Sequence, residues 1–283
     1  MEDYALSIKG ISKKFDNFVM EDINLYLPAG EVVGLIGENG AGKTTLIRLI
    51  MNMYGKDAGD IKVYGKDTVE DEEQVKNIIG YVSDNDYLSP YSNLAGYMHI
   101  FKEVYDEFDE KLAKEYADKW ELPLYKKFSA YSKGMKVKAM MLLALSHNPK
   151  LLILDEPTAG LDPVARLEFL DIFREFVADG TKTVIFSTHI TSDLDKIADR
   201  MVLINKGSIC ENITLDAIYE KYVWVDGDAQ AYEEYAPKMI FAKKVEMSFS
   251  GLALRSNIPD DTRLTLTQPN MEKIMVGYIM GNR

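Results

Sequence analysis

Residues 37–44, with the sequence GENGAGKT, match the phosphate-binding pattern G-x-x-x-x-G-K-[ST] at every fixed position. An apolar run at 32–36 precedes them and indicates a buried strand, while the spacing of apolar residues at 45–50 indicates a helix. Glycines let successive backbone N–H groups turn toward phosphate oxygens, and a helix N-terminus adds partial positive charge. The segment therefore predicts a cradle for a nucleoside triphosphate.

The residue types within this loop predict separate binding roles. Lys43 is expected to reach the β- and γ-phosphates, and the Thr44 hydroxyl is expected to hold Mg²⁺. The residues predicted to bind the nucleotide in this segment are Gly37, Asn39, Gly40, Ala41, Gly42, Lys43, Thr44 and Thr45.

Two carboxylates follow a second apolar run, at 151–154. Ligands of open α/β sheets collect at the carboxyl ends of strands, so Asp155 is expected near the loop as a partner of Mg²⁺, directly or through water. Glu156 is suited to orient and deprotonate an attacking water. Capping of the turn at Pro157 is the structural alternative for both acids.

A third apolar run, at 183–187, is followed by Thr188 and His189. If the strands are parallel, His189 leaves the sheet at the same edge as Asp155. That placement makes it a candidate for contacting the γ-phosphate, although a lone histidine is more often structural.

Alternating apolar and polar residues at 4–11 and 23–27 predict a half-buried antiparallel layer. Phe15 and Phe18 lie in the predicted turn at 13–18. An aromatic ring here could stack on a nucleobase, but spacing alone favours packing in the core or the turn for either ring.

From about residue 89 to 147 the apolar spacing is helical, which predicts an inserted helical subdomain. Its last helix is expected to begin after the segment YSKGM at 131–135, where Ser132 and Gly134 offer a cap and an anion-accessible helix N-terminus. Beyond Gly207, strand patterns near residues 222–225, 245, 252 and 264, with helices at 229–238 and after Pro269, predict a small α+β unit. This unit could form a dimer contact, have a regulatory role, or simply complete the fold.

Composition places bounds on function. The 283 residues are 47% hydrophobic and 28% charged, as in an ordinary globular protein, and the net charge of −12 argues against nucleic-acid binding. The single cysteine, Cys210, favours a reducing compartment. We expect no leader peptide, and no apolar run approaches the ~20 residues that span a bilayer, so a membrane role would require another subunit.

The motifs described above, in their order along residues 1–207, resemble those of the nucleotide-binding subunit of ATP-binding cassette (ABC) transporters. The resemblance rests on the loop at 37–44, the signature-like segment 131–135, the acidic strand at 151–156, the turn AGLD at 159–162, and His189.

The resemblance implies an α/β fold: a P-loop NTPase core with a parallel sheet, an N-terminal antiparallel β layer and an inserted helical subdomain at about 88–148. A nucleotide-binding domain would cover residues 1–215, and a C-terminal α+β extension would cover residues 216–283.

The resemblance also implies ATP hydrolysis with Mg²⁺ in a head-to-tail dimer, where each ATP lies between one chain's phosphate loop and the other chain's signature. Ser132 and Gly134 would then contact the γ-phosphate bound by the partner. Asp162 would help to couple the two sites, and Phe15 would stack on adenine. The implied partners are a second nucleotide-binding chain and a separate transmembrane permease, at the cytoplasmic face of the membrane, with no nucleic acid.

This chain departs from the family at two places. The usual signature is LSGGQ, and here Tyr131, Lys133 and Met135 replace three of its five residues. Asp84 stands where the family has a glutamine, so it could hold Mg²⁺ directly or through water, with Asn85 as the alternative.

The signature with a lysine and the short C-terminal extension are most similar to single-cassette bacterial exporters that pair with a six-helix membrane subunit. Among these, the chain resembles the ATPases of amphipathic-peptide exporters such as the phenol-soluble modulin transporter. Two alternatives are an ABC-type ATPase acting on ribosomes or nucleic acid, and a nucleotide-dependent regulator without turnover. The single cassette without a heptad array disfavours the first, and the presence of Lys43, Asp155, Glu156 and His189 disfavours the second.

Overall fold

A computed structural model describes residues 4–83 and 87–281. Asp84 and Asn85, the predicted alternatives for a magnesium ligand, lie outside the described residues. The strands are β1 Tyr4–Phe15, β2 Phe18–Pro28, β3 Val32–Ile36, β4 Ala58–Val63, β5 Lys66–Asp67, β6 Ile79–Val82, β7 Leu151–Asp155, β8 Thr183–Ser187, β9 Arg200–Asn205, β10 Ser208–Thr214, β11 Tyr222–Asp228, β12 Met239–Val245, β13 Ser248–Leu254 and β14 Leu264–Thr267. The helices are α1 Lys43–Ile50, α2 Glu72–Ile78, α3 Leu94–Val104, α4 Glu110–Lys119, α5 Lys133–Leu145, α6 Pro163–Val177, α7 Thr191–Ile197, α8 Leu215–Lys221, α9 Tyr232–Tyr235 and α10 Met271–Gly281.

The central sheet has the strand order β10-β9-β3-β8-β7-β6, and all of its pairs except β10 with β9 are parallel. Its inner strands are apolar throughout because both faces are covered. In β3, Val33 and Leu35 pack toward the N-terminal layer and α1, while Val32 and Ile36 join the core on the helical side. The parallel arrangement predicted for the site-bearing strands is therefore confirmed.

The N-terminal layer is an antiparallel sheet in the order β2-β1-β4-β5, as the alternating pattern predicts. The predicted turn at 13–18 is shorter than expected, because β1 continues through Phe15 and β2 begins at Phe18. These two residues pair across the end of the hairpin, so only Asp16 and Asn17 form the turn.

The predicted helical insertion comprises α3, α4 and α5, which lie between β6 and β7. Helix α5 begins at Lys133, inside the segment 131–135 and not after it as predicted, because Ser132 caps it by accepting a hydrogen bond of 3.2 Å from the Met135 N–H. The apolar residues of α5 from Val137 onward are buried and anchor the insertion on β6.

The C-terminal residues form an antiparallel sheet in the order β12-β13-β11-β14, with α10 packed against β12 and β13. The helix predicted at 229–238 is wrong in extent, since α9 covers only Tyr232–Tyr235 before a 3-10 turn at Ala236–Lys238. Asp228 accepts hydrogen bonds from the Gln230 and Ala231 N–H groups, which holds a turn there, and Pro237 cannot donate to a helix. Within the described part of the chain, no helix is long and apolar enough to cross a membrane.

Candidate active site

The phosphate loop connects the end of β3 to the start of α1. Gly40 (φ 80°) and Gly42 (φ 115°) adopt left-handed backbone conformations that favour glycine. A Cβ added at Gly42 would come within 2.8 Å of the Phe18 ring, so the close approach of the N-terminal layer also requires glycine. The first N–H groups of α1 have no partner within the helix and are available to an anion.

Lys43, the first residue of α1, is buried and turns back over this loop. Its ammonium group donates hydrogen bonds to the carbonyls of Gly37 at 2.8 Å and Glu38 at 3.2 Å. Burial lowers the pKa of Lys43, while the negative charges of Glu156 and Asp155 act in the opposite direction. An anion in the loop would add to that second effect and favour the charged amine.

Asp155, at the end of β7, connects the loop to the neighbouring strand. Its carboxylate accepts hydrogen bonds from the Thr44 hydroxyl at 2.8 Å and from the Ser187 hydroxyl at 2.6 Å. Ser187 ends β8 and is the register partner of Asp155. Its oxygen also accepts a hydrogen bond of 2.9 Å from the Glu156 N–H. These bonds hold the ends of β7 and β8 against the start of α1.

Glu156 and His189 meet at the same sheet edge. The Nδ1 atom of His189 lies 2.6 Å from Oε2 of Glu156, which fits an N–H donated to the carboxylate. Glu156 has a left-handed backbone (φ 52°), a conformation that costs a non-glycine residue roughly 1–3 kcal/mol and often marks a functional position. Its side chain is 16% exposed, compared with 58% for His189.

Lys43, Thr44, Asp155 and Glu156 face one cavity of about 560 Å³, which His189 does not line. It is lined by Phe15, Asn17, Phe18, Asn39, Gly40, Gly42, Lys43, Thr44, Thr45, Tyr54, Asp155 and Glu156. The lining combines aromatic rings with cationic, hydroxyl and carboxylate groups. Of the remaining predicted loop residues, Gly37 contributes the carbonyl bound by Lys43, and Ala41 is buried with its carbonyl bonded to the Gly207 N–H.

A comparison with known proteins finds that the family model described as ABC transporter matches residues 20–159. The uncharacterized ABC transporter ATP-binding protein YdbJ of Bacillus subtilis is 31% identical over 220 residues, which are 76% of this chain and 71% of that protein. The chain belongs to the ABC transporter ATP-binding proteins. As a member, it binds ATP and is an ATPase.

Two further likenesses place this ABC ATPase among its relatives. The bacitracin transport ATP-binding protein BcrA of Enterococcus faecalis is 28% identical over 226 residues, covering 77% of this chain and 72% of that protein. The solved structure of an ATP-binding subunit of an ABC transporter is 29% identical with a TM-score of 0.70, covering 76% of this chain and 91% of that one.

Three residues predicted to act across an ABC dimer, Ser132, Gly134 and Asp162, do not line the cavity of their own chain. Ser132 is exposed at the start of α5, and Asp162 is exposed at the start of α6. Asp162 caps α6 by accepting hydrogen bonds of 3.0 Å from the Val164 and Ala165 N–H groups. An ideal Cβ at Gly134 would lie 3.7 Å from the Leu161 side chain, so the signature segment and the AGLD turn are neighbours.

The residues of the ABC site fit a magnesium ion bound together with a nucleotide. Thr44 and Asp155 offer oxygen ligands 2.8 Å apart. Among the described residues there is no cluster of three or more histidine, cysteine or acidic side chains that could hold a metal ion alone. Mg²⁺ commonly takes only one or two protein ligands and completes its shell with phosphates and water.

The sequence patterns did not indicate that Ser187 belongs to the site. It ends an apolar strand, just as Asp155 does, and the same strand-end rule applies to it. The sequence does not indicate the pairing register of β7 and β8, which places the Ser187 hydroxyl between Asp155 and the Glu156 backbone.

Proposed function

We propose that this chain is the ATP-hydrolysing motor subunit of a bacterial exporter, working as a nucleotide-sandwich dimer with a separate membrane subunit at the cytoplasmic face of the membrane. The observation that carries the proposal is the convergence of two pairs, Thr44 with Asp155 and Glu156 with His189, at the phosphate loop. Together with Lys43, they supply the charges and the base that phosphoryl transfer to water requires.

In the proposed reaction, Glu156 takes a proton from a water molecule, and the oxygen of that water attacks the γ-phosphorus. A new P–O bond forms and the bond from the γ-phosphorus to the β,γ-bridging oxygen breaks, which yields ADP and phosphate. The loop N–H groups and Lys43 stabilise the developing negative charge. His189 keeps the Glu156 carboxylate in place through Nδ1. Mg²⁺, held by Thr44 and Asp155, would supply charge neutralisation between the phosphates.

The placement of the signature supports the proposed dimer. The exposed start of α5 carries Ser132 and Gly134 but does not line the cavity of its own chain. In a head-to-tail pair, its hydroxyl and backbone N–H groups would meet the γ-phosphate bound by the partner. ATP would then favour the closed dimer, and hydrolysis would favour reopening.

For the transported substrate, we propose amphipathic peptides or similar compounds. Support comes from the resemblance to peptide exporters and from the likeness to a bacitracin transport protein. The membrane subunit would make the substrate contacts. An affinity-tagged chain is expected to copurify with a membrane protein, whereas a chain retained on ribosomes would contradict the transporter function.

The catalytic assignment is tested by Glu156→Gln. We expect ATP turnover to fall by roughly 10²–10⁴-fold, since the general base is lost, while ATP still binds. Steady-state phosphate release and equilibrium ATP binding measure the two effects. The exposed Glu175→Gln variant makes the same change of charge and should keep wild-type turnover. Retained turnover in Glu156→Gln would remove Glu156 from the proposed role.

The dimer is tested in the same hydrolysis-deficient background. With ATP and Mg²⁺, Glu156→Gln should elute as a dimer in size-exclusion chromatography. Adding Gly134→Asp places a negative charge where the partner's phosphate would lie, so this double variant should remain a monomer that still binds ATP. Ser129→Asp, also exposed on the helical insertion, serves as the control and should leave the dimer intact. An ATP-bound Glu156→Gln monomer would contradict the sandwich.

A further inference from the structure

Phe15, the proposed platform for the nucleobase, is held by residues outside its own hairpin. It is half-buried beside the exposed turn of Asp16 and Asn17. The Tyr54 ring meets it edge to face, with the centroids 5.5 Å apart and the planes at 65°. Phe18, the strand partner, is more distant at 6.4 Å. The conformation of the Phe15 ring therefore depends on the position of Tyr54.

Tyr54 is in turn tied to α1. Its backbone N–H donates a hydrogen bond of 3.2 Å to the Arg48 carbonyl, which also accepts one of 2.8 Å from Met53. Its hydroxyl accepts a hydrogen bond of 2.5 Å from Nη1 of Arg48, and the guanidinium lies 5.4 Å from the centre of its ring. Helix α1 begins with Lys43 and Thr44, so these contacts attach Tyr54 to the helix that carries the phosphate-binding residues.

Asp57 fastens the same segment to the strand that carries Phe15. Its N–H donates to the Ser12 carbonyl at 2.9 Å, and its carboxylate accepts hydrogen bonds of 2.8 Å from the Lys14 N–H and from Nζ of Lys13. The bond from Lys13, followed by that from Lys14, lowers the pKa of Asp57. The Lys13 ammonium in turn lies 5.7 Å from the centre of the Phe15 ring.

We propose that Tyr54 is a positioning residue for the nucleobase: it fixes the Phe15 ring relative to α1, and so sets the separation between the base platform and the phosphate loop. Tyr54 lines the nucleotide cavity together with Phe15, Lys43 and Thr44. The inference rests on the proposed role of Phe15 as the base platform. Because the side chain of Tyr54 contacts the Phe15 ring, its loss weakens the part of the affinity that depends on the base and leaves phosphate binding intact.

The experiment compares magnesium-ATP with inorganic tripolyphosphate, which lacks the base, by titration calorimetry. Tyr54→Ala should weaken ATP binding by roughly 3- to 10-fold, the range that an aromatic pair contact supports, and should leave tripolyphosphate binding unchanged. Tyr54→Phe keeps the ring but loses the Arg48 bond, so its loss of ATP affinity should be smaller. Tyr91→Ala removes a tyrosine that is 84% exposed and should change neither ligand.

A double-mutant cycle with Phe15→Ala completes the test. Phe15→Ala should weaken ATP binding alone, and adding Tyr54→Ala to it should cause no further loss, since the platform is already absent. Equal weakening of both ligands by Tyr54→Ala would show a general structural role and overturn the proposal. Unchanged ATP binding in either single variant would overturn it as well. The Glu156→Gln turnover test is independent, so failure here leaves the motor function standing.

Discussion

The Asp155 carboxylate is only 3% exposed and accepts two hydroxyl hydrogen bonds. A largely buried charge needs such partners, because they replace most of the hydration that it has lost. Ser187 has a second task, since its oxygen accepts the N–H of Glu156, whose backbone is left-handed. At the scale of single residues, one serine therefore supports two carboxylates, the proposed magnesium ligand and the proposed base, without lining the cavity itself.

Ser187→Ala should lower the free energy of unfolding by about 2 kcal/mol, because it removes a hydrogen bond to a buried charged group. For a chain of this length, that loss lowers the melting temperature by roughly 4–8 °C. Turnover should fall as well, since Glu156 loses a restraint. Calorimetry and ATPase assays measure both effects. Ser208→Ala, an exposed serine of β10, is the control, and a wild-type melting temperature for Ser187→Ala would be the contrary result.

At the scale of secondary-structure elements, an ion pair connects the start of α4 to α3. Glu110 accepts hydrogen bonds from Lys102 of α3 at 2.8 Å and from Lys114, one turn along α4, at 2.6 Å. These bonds lower the pKa of Glu110 to about 2. The folded chain therefore binds fewer protons than the unfolded chain between pH 4.5 and about 2. The stabilisation is complete above this window and is lost as the pH falls through it.

Glu110→Gln should lower the urea midpoint slightly at pH 7 in low salt. The difference from wild type should shrink at pH 3, where the unfolded chain already binds the proton, and also in high salt, which screens an exposed pair. Asp118→Asn makes the same charge change at an exposed position of α4 and provides the comparison. A difference that stayed constant across pH would show that Glu110 acts through something other than its charge.

Across the whole molecule, the C-terminal unit shares a core with the nucleotide-binding part. Met271 and Ile274 of α10 are fully buried in the cluster that also contains Phe186 of β8 and Leu194 of α7. The Met271 N–H donates to Asp195 of α7 at 3.2 Å. The hydroxyls of Tyr222 and Tyr278 donate to Glu211 of β10. The division of the chain at residue 215 is a proposal, and these contacts argue that its two parts unfold together.

Ile274→Ala should destabilise the protein by about 2–5 kcal/mol, the usual result of emptying a core position. Because the core is shared, calorimetry should show one transition shifted to lower temperature, and ATP-induced stabilisation should act on that same transition. Ile100→Ala, at a residue that is 51% exposed, should change the transition little. A separate transition that moves alone in Ile274→Ala would establish two independently folding units.

The sequence alone determined the phosphate loop, the two acids and His189, because those predictions depend on local information: a spaced motif and polar residues that end apolar strands. It also determined the strand character of 32–36, 151–154 and 183–187, since fully buried strands are continuously apolar. The helix predicted at 229–238 is longer than α9 because Asp228 holds a turn at its predicted start and Pro237 cannot donate a helical hydrogen bond.

Only the tertiary structure decided which of these groups touch. Ser187 joins Asp155 and Glu156 through strand register, Tyr54 reaches Phe15 across 39 positions of sequence, and α10 packs against α7 from the far end of the chain. Such contacts depend on how distant elements pack, and no local pattern of residue types records that. The sequence therefore predicted the residues that could carry out the chemistry of the site, but it did not predict the residues that hold them in position.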